Sequence, residues 1–354
     1  MIYLYLFIAC VVFLFLEQSK GTEKVGPFIK WGFILFFILF VGLRHEVGPD
    51  FLSYQTIFSD SALREGMEPF FRFLMLLFSR LHLGYVYFFL FVATLSILIK
   101  TYVIDKYSPY FFLSVIIALP VTLLSDMGQI RFSLAIATLW LSIPYVQERK
   151  LPGYLVVVFL AGMMHYSSFI FLPVYWLAHR KINIYLILGI WAGCYLFSFS
   201  GFSEWFSSSF AEFGITEFSD KTSLYGDEES GGGRYGVSLF GLLSKIMVVV
   251  LVYFTIPRND SPLQRILLNV YFIGGCLFFL FSFNEIYGTR FSLYFLSVES
   301  LVVPAAIARI SDVKLHYILL VVFILKAFYQ YYTQVYVSYP DMYLPYKNIL
   351  QLFY

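Results

Sequence analysis

Four arginines stand where apolar runs of the chain meet polar segments: Arg44, Arg131, Arg234 and Arg290. Arg131 closes Asp126-Met127-Gly128-Gln129-Ile130-Arg131 and leads into FSLAIATLWL, while Arg290 closes Asn284-Glu285-Ile286-Tyr287-Gly288-Thr289-Arg290 at the head of a later apolar run. A guanidinium one turn inside a membrane span costs several kcal/mol unless it is paired or wetted. The positive end of the helix macrodipole adds further attraction for a negative group at such a place. A guanidinium fork matches phosphate oxygens two at a time, which an ammonium cannot do. The expected chemistry is therefore the grip of an anion, and the sharpest form of it is a diphosphate site on the outer face. The plainer alternative pairs Arg131 with Asp126, and Arg290 with Glu285 or Glu299, as structural glue.

Two residues qualify as general bases. His165 ends LAGMMHYSS, and imidazole titrates near neutrality. Asp50 lies in GLRHEVGPDFLSYQTIF, residues 42–58, where Gly48-Pro49 forces a turn; a carboxylate in a dry pocket can have its affinity for protons raised. Tyr54 follows Asp50 by one helical turn and shares its face. The plainer alternatives are a packing histidine, and an N-cap for the helix that begins FLSYQ. Glu68, just before Pro69, reads as the opening of a surface helix. Walker loop, dinucleotide fingerprint, G-x-S-x-G elbow and metal-ligand spacing are all missing from the sequence, so catalysis without metal or cofactor is expected.

The elements that must carry these side chains are membrane helices. Of 354 residues 60% are hydrophobic and only 13% charged, about half the charge of an ordinary soluble chain. A net charge of +2 offers no basic face for nucleic acid. Cys10, Cys194 and Cys276 sit inside apolar runs and read as small core residues. Residues 1–17 lack a basic leader and a small-residue cleavage pattern, so they read as a retained first span.

Further spans are expected near 28–43, 84–100, 108–124, 128–146, 151–165, 167–179, 183–200, 236–256, 263–283, 287–309 and 315–333, making an all-α polytopic membrane protein of about 12 transmembrane helices. The pair 151–165 and 167–179 is short and reads either as two tilted helices or as one helix broken around His165. Segment 67–81 is apolar but carries Arg72 and Arg80 at a helical period, so it is expected to lie on the surface.

Connections 17–30, 100–107, 147–150, 180–182, 257–265 and 309–314 are rich in Lys and Arg, among them Lys24, Lys100, Arg149, Lys150 and Arg180, which assigns them to the cytoplasm. The segment 44–83 and the loop 201–235 then face the other side. That loop is glycine-rich and acidic, ends on Arg234 and Tyr235, and is expected to be mobile.

Taken in order, Arg44-x-x-x-Gly48-x-Asp50-x-x-x-Tyr54, Glu68, Gln129-x-Arg131-x-x-x-Ala135, the basic turn Arg149-Lys150, His165 and the ending Tyr343-Leu344-Pro345-Tyr346 resemble the EpsG-like branch of the Wzy-type O-antigen and exopolysaccharide polymerases. Most of the chain is covered, by short motifs. Pro49 stands where such proteins often have a small or threonine-like residue, and Phe132 replaces the glutamine that commonly follows the arginine. The resemblance implies an inner-membrane glycosyltransferase of GT-C-like architecture, acting at the periplasmic face on undecaprenyl-diphosphate-linked oligosaccharide, with a chain-length regulator as a possible partner. On that reading Arg44, Tyr54, Gln129, Arg131, Arg234, Tyr235 and Arg290 bind substrate, and His165 or Asp50 is the base. A lipid-linked oligosaccharide flippase would instead want charge through the bilayer centre and two matched halves. An O-antigen ligase would use the same diphosphate grip with another acceptor.

Overall fold

The computed structural model describes residues 1–19, 26–202, 205–206, 238–255 and 262–353, with helices and no strand among them. The first half runs α1 (Ile2–Gln18), α2 (Gly26–Gly42), α3 (Phe51–Ser59), α4 (Ser61–Glu65), α5 (Pro69–Arg80), α6 (Tyr85–Tyr107), α7 (Phe111–Met127), α8 (Ile130–Trp140), α9 (Ile143–Gln147) and α10 (Leu151–Met164). After a 3-10 turn over Tyr166–Phe171 come α11 (Val174–Leu177), α12 (Ile184–Phe197), α13 (Leu239–Thr255), α14 (Pro262–Leu280), α15 (Glu285–Leu296), α16 (Glu299–Ile307), α17 (Val313–Tyr332) and α18 (Pro340–Tyr343).

This is the build of a polytopic membrane protein. Helices α6, α14 and α17 with its π-helical continuation to Ser338 are each long and apolar enough to cross a bilayer alone. Helices α15 and α16 do so as a pair bent by 46°. The bend falls at Ser297-Val298, between the two helices, and Pro304 lies further on, inside α16. Trp140 caps the break by donating to Ser297 Oγ at 3.0 Å. Among the described residues seven further apolar helices are shorter than a full span.

Segment 67–81 does form a helix, α5. It buries Phe71, Leu74, Met75 and Phe78 on one face and leaves Arg72 and Arg80 exposed. Of the two readings of 151–179, the structure shows the break at His165: α10 ends there in an extended conformation. Lys100 corrects the charge map. It belongs to no connection but to the interior of α6, where it is buried and donates to Asp126 at 2.8 Å.

The chain end ties down the first polar segment. The His45 amide donates to Lys347 O at 3.0 Å and the Gly48 amide to Met342 O at 2.7 Å. Tyr346 stacks on Phe40 at 4.5 Å between ring centroids and donates to its carbonyl. The Tyr-Leu-Pro-Tyr ending is thus packing for the segment that leads into α3.

Candidate active site

Five segments distant in sequence converge on one cluster. The α3 helix brings Tyr54 and the start of α5 brings Glu68. The first turn of α8 supplies Arg131, the C-terminus of α10 supplies His165, and α15 supplies Arg290. Pro69 occupies the first turn of α5, where its missing N–H costs nothing. Glu68 immediately before it makes no capping bond and is released for longer-range work.

The Glu68 carboxylate is the hub. Arg131 Nη1 donates to its Oε2 at 2.5 Å and His165 Nδ1 meets its Oε1 at 2.7 Å. Arg131 Nε donates to the Tyr54 hydroxyl at 3.0 Å. Burial alone would push the Glu68 carboxyl up, but the His165 hydrogen bond and the Arg131 charge outweigh it and hold it down at about 2. Tyr54 is buried, and that burial pushes its phenol up, so it remains a neutral hydroxyl. Because Glu68 is ionised it can only accept, so His165 Nδ1 carries a proton and donates. In the neutral ring the lone pair then lies on Nε2. One carboxylate balances the permanent charge of Arg131, and a neutral imidazole keeps the trio neutral.

Exposure separates the roles. The Glu68 side chain is 5% exposed, against 24% for Arg131 and 22% for His165. The carboxylate stands behind, and the two groups it orients face open space. Arg131 Nη2 has no protein partner among the described residues, so part of the fork is left for a ligand. Arg290 is half-buried, close enough to His165 and Tyr294 to act on their charge, and makes no hydrogen bond or ion pair among the described residues. Ser167 Oγ and the buried Tyr294 hydroxyl share a hydrogen bond of 2.8 Å beside it. The Phe132 ring lies 4.6 Å from Tyr294 and 6.0 Å from His165, so the residue in place of the usual glutamine packs the wall of the site.

Other expectations land elsewhere. Arg44 is 3% exposed and lies over the adjoining rings of Phe51 and Phe89. Its Nε donates to Val47 O and Met127 O at 3.2 and 3.0 Å, and Nη1 to Val41 O at 2.6 Å. It braces the turn before α8, and its Nη2 is buried without a hydrogen-bond partner among the described residues. Gly48, at φ +99°, packs its α-carbon against the Met127 carbonyl, which a side chain would overrun. Asp50 takes the N-cap position of α3 without a side-chain capping bond, near Tyr54.

Gln129 takes the N-cap position of α8, also without a side-chain bond. Asp126 pairs with Lys100 and leaves Arg131 to Glu68, while Glu299 pairs with Lys326. Arg234 and Tyr235, the loop 207–237 around them and the side chain of Glu285 lie outside the described residues. Glu68, Tyr294 and Ser167 were missed as site residues. Only Glu68 left a signal, its place in the motif order ahead of Arg131 and His165.

The family model described as the EpsG family matches residues 31–348 of this chain. The amylovoran biosynthesis protein AmsC of Erwinia amylovora is 26% identical over 330 residues, covering 86% of this chain and 85% of that protein. No solved structure matches the chain.

Proposed function

The chain belongs to the EpsG family, and from that premise we propose that it is a polysaccharide polymerase. In this reading it is a glycosyltransferase of about 12 spans and GT-C-like architecture in the bacterial inner membrane. At the periplasmic face it would join undecaprenyl-diphosphate-linked repeat units into O-antigen or exopolysaccharide. A relative named for the biosynthesis of amylovoran supports the process. The observation that carries the chemistry is the Glu68–His165 pair with a neutral Nε2 facing open space beside Arg131 and Arg290.

In the proposed step a hydroxyl of the acceptor sugar gives its proton to His165 Nε2 as its oxygen bonds to the anomeric carbon of the donor. The bond from that carbon to the diphosphate oxygen breaks, and the electron pair leaves with the lipid diphosphate. Glu68 stabilises the imidazolium that forms and keeps the ring in register, a positioning role. Charge on the leaving diphosphate grows as the bond breaks, and the open donors of Arg131 with the guanidinium of Arg290 meet it there. The scheme draws on guanidinium charge and needs no metal. Tyr54 holds Arg131 in place.

The test is a deletion strain complemented with variants. Deletion should abolish long polymer while one repeat unit still reaches its final acceptor. Loss of that single unit as well would point to a ligase or flippase. Arg131→Ala and Arg290→Ala should abolish elongation at unchanged protein abundance, and Arg131→Lys should not restore it. Wild-type polymer from both alanine variants would refute the diphosphate assignment.

A further inference from the structure

A second polar space lies deeper in the bundle than the Glu68 cluster. It is a cavity of about 140 Å³ bordered by Lys100, Lys245, Lys326, Glu299, Thr289 and Ser292 among others. Thr289 adjoins Arg290 in sequence, so α15 forms a wall of both spaces. Roughly 10–15 Å³ admits one water, so the volume is ample for an anion of one or two phosphoryl groups.

The charges around it do not balance. Both carboxylates within reach are already used on both oxygens. Asp126 receives Lys100 Nζ on Oδ2, and the hydroxyls of Ser96 and Ser133 on Oδ1. Glu299 receives Lys326 Nζ on Oε1 and the Tyr271 hydroxyl on Oε2. Lys245, on α13, is near both Lys326 and Glu299 but bonds to neither. Its Nζ is 3.4 Å from the Gly241 carbonyl and 3.5 Å from the centroid of the Phe278 ring, and no carboxylate pairs with it among the described residues. A cation in the interior of a membrane protein is held by a counter-charge, by water or by function. Here three lysines and one carboxylate border a space whose other walls are hydroxyls and apolar side chains such as Ile136, Trp140 and Leu293.

We propose that this cavity is a second anion site, distinct from the Arg131 cluster, which takes a phosphoryl oxyanion on Lys245 with the Thr289 hydroxyl as a further donor; the Ser292 hydroxyl beside it donates to the Thr289 carbonyl at 3.2 Å and holds that turn of α15. The source of that group, the diphosphate of a polyprenyl carrier, rests on the reading given under Proposed function; the site itself does not. A polymerase handles two lipid-linked diphosphates in one step, and a second cationic seat behind Arg290 holds one of them while the first cluster holds the other.

The test is native mass spectrometry of the full chain in detergent with inorganic pyrophosphate, and separately with undecaprenyl diphosphate. The wild type should carry two anions. Lys245→Met should lose one of them, and Lys245→Arg should keep both. Should Lys245→Met fail to fold, Thr289→Val carries the same measurement. Occupancy by both probes means the phosphoryl group alone suffices; occupancy by the lipid only means that the headgroup enters with its chain. The same number of bound anions on the wild type and on Lys245→Met overturns the proposal. No turnover is involved, so a chain that shows Lys245-dependent binding yet makes no polymer would sink the polymerase reading and leave the site standing.

Discussion

Replacing Glu68 by glutamine tests the site at its hub, because the change preserves shape and reverses one proton. The carboxylate accepts from Arg131 at 2.5 Å and from His165 at 2.7 Å. An amide can accept on one side only. Arg131 is a permanent donor, so the amide oxygen must turn to it and the NH2 group then faces His165 Nδ1. To avoid two opposed donors the imidazole gives up its Nδ1 proton and carries it on Nε2, where the scheme needs a lone pair. The loss of a general base with its orienting partner is worth roughly a hundred- to ten-thousandfold in rate.

The assay is elongation of purified lipid-linked repeat units by protein in detergent, with chain-length distribution as the readout and protein quantity held equal. Residues that act as a unit are not additive, so Glu68→Gln combined with His165→Ala should be no slower than His165→Ala alone. Elongation by Glu68→Gln within about threefold of wild type, or a double variant much slower than either single one, would refute the dyad.

Three further outcomes are expected. Tyr54→Phe removes one hydrogen bond to Arg131 while keeping the ring, so elongation should fall by no more than about tenfold; abolition would mean that the hydroxyl touches substrate. Arg44→Ala strips the donors from three backbone carbonyls and should cost roughly 3 kcal/mol or more, read as lower abundance and thermal stability with elongation per molecule retained. Gly48→Ala should show the same abundance defect, because the turn cannot move away from Met127.

Acid should destabilise the bundle through Glu68. Its folded carboxyl titrates at about 2 against an ordinary 4.5, so the contribution is complete above about 4.5 and is lost as pH falls toward 2. A shift of that size corresponds to roughly 3 kcal/mol. Melting temperature followed through that window should drop more for the wild type than for Glu68→Gln, and parallel curves would contradict it.

Much of the architecture was legible because it depends on local composition and on the solvent. Apolar runs of helix length follow from the bilayer, and α5 was readable as amphipathic from an apolar segment of helical period that carries Arg72 and Arg80. Arg131, Arg290 and His165 stood out as polar groups in apolar runs, a property of sequence alone. Their partners were not legible. Asp126 is five residues from Arg131, but the turn at Gly128 separates the two helices and sends the carboxylate to Lys100, 26 residues away. Arg131 reaches instead across 63 residues to Glu68, and His165 across 97.

Arg44 carries the same lesson in the other direction. As a sequence it is one more arginine at a membrane boundary, yet the fold places it among three carbonyl oxygens and uses its Nε and Nη1 donors there. The sequence by itself determined which groups are too polar to be left alone in lipid, because that cost belongs to each side chain. Only the tertiary structure decided which of them neutralise one another and which remain open to a ligand, because pairing depends on helix faces brought together from distant parts of the chain.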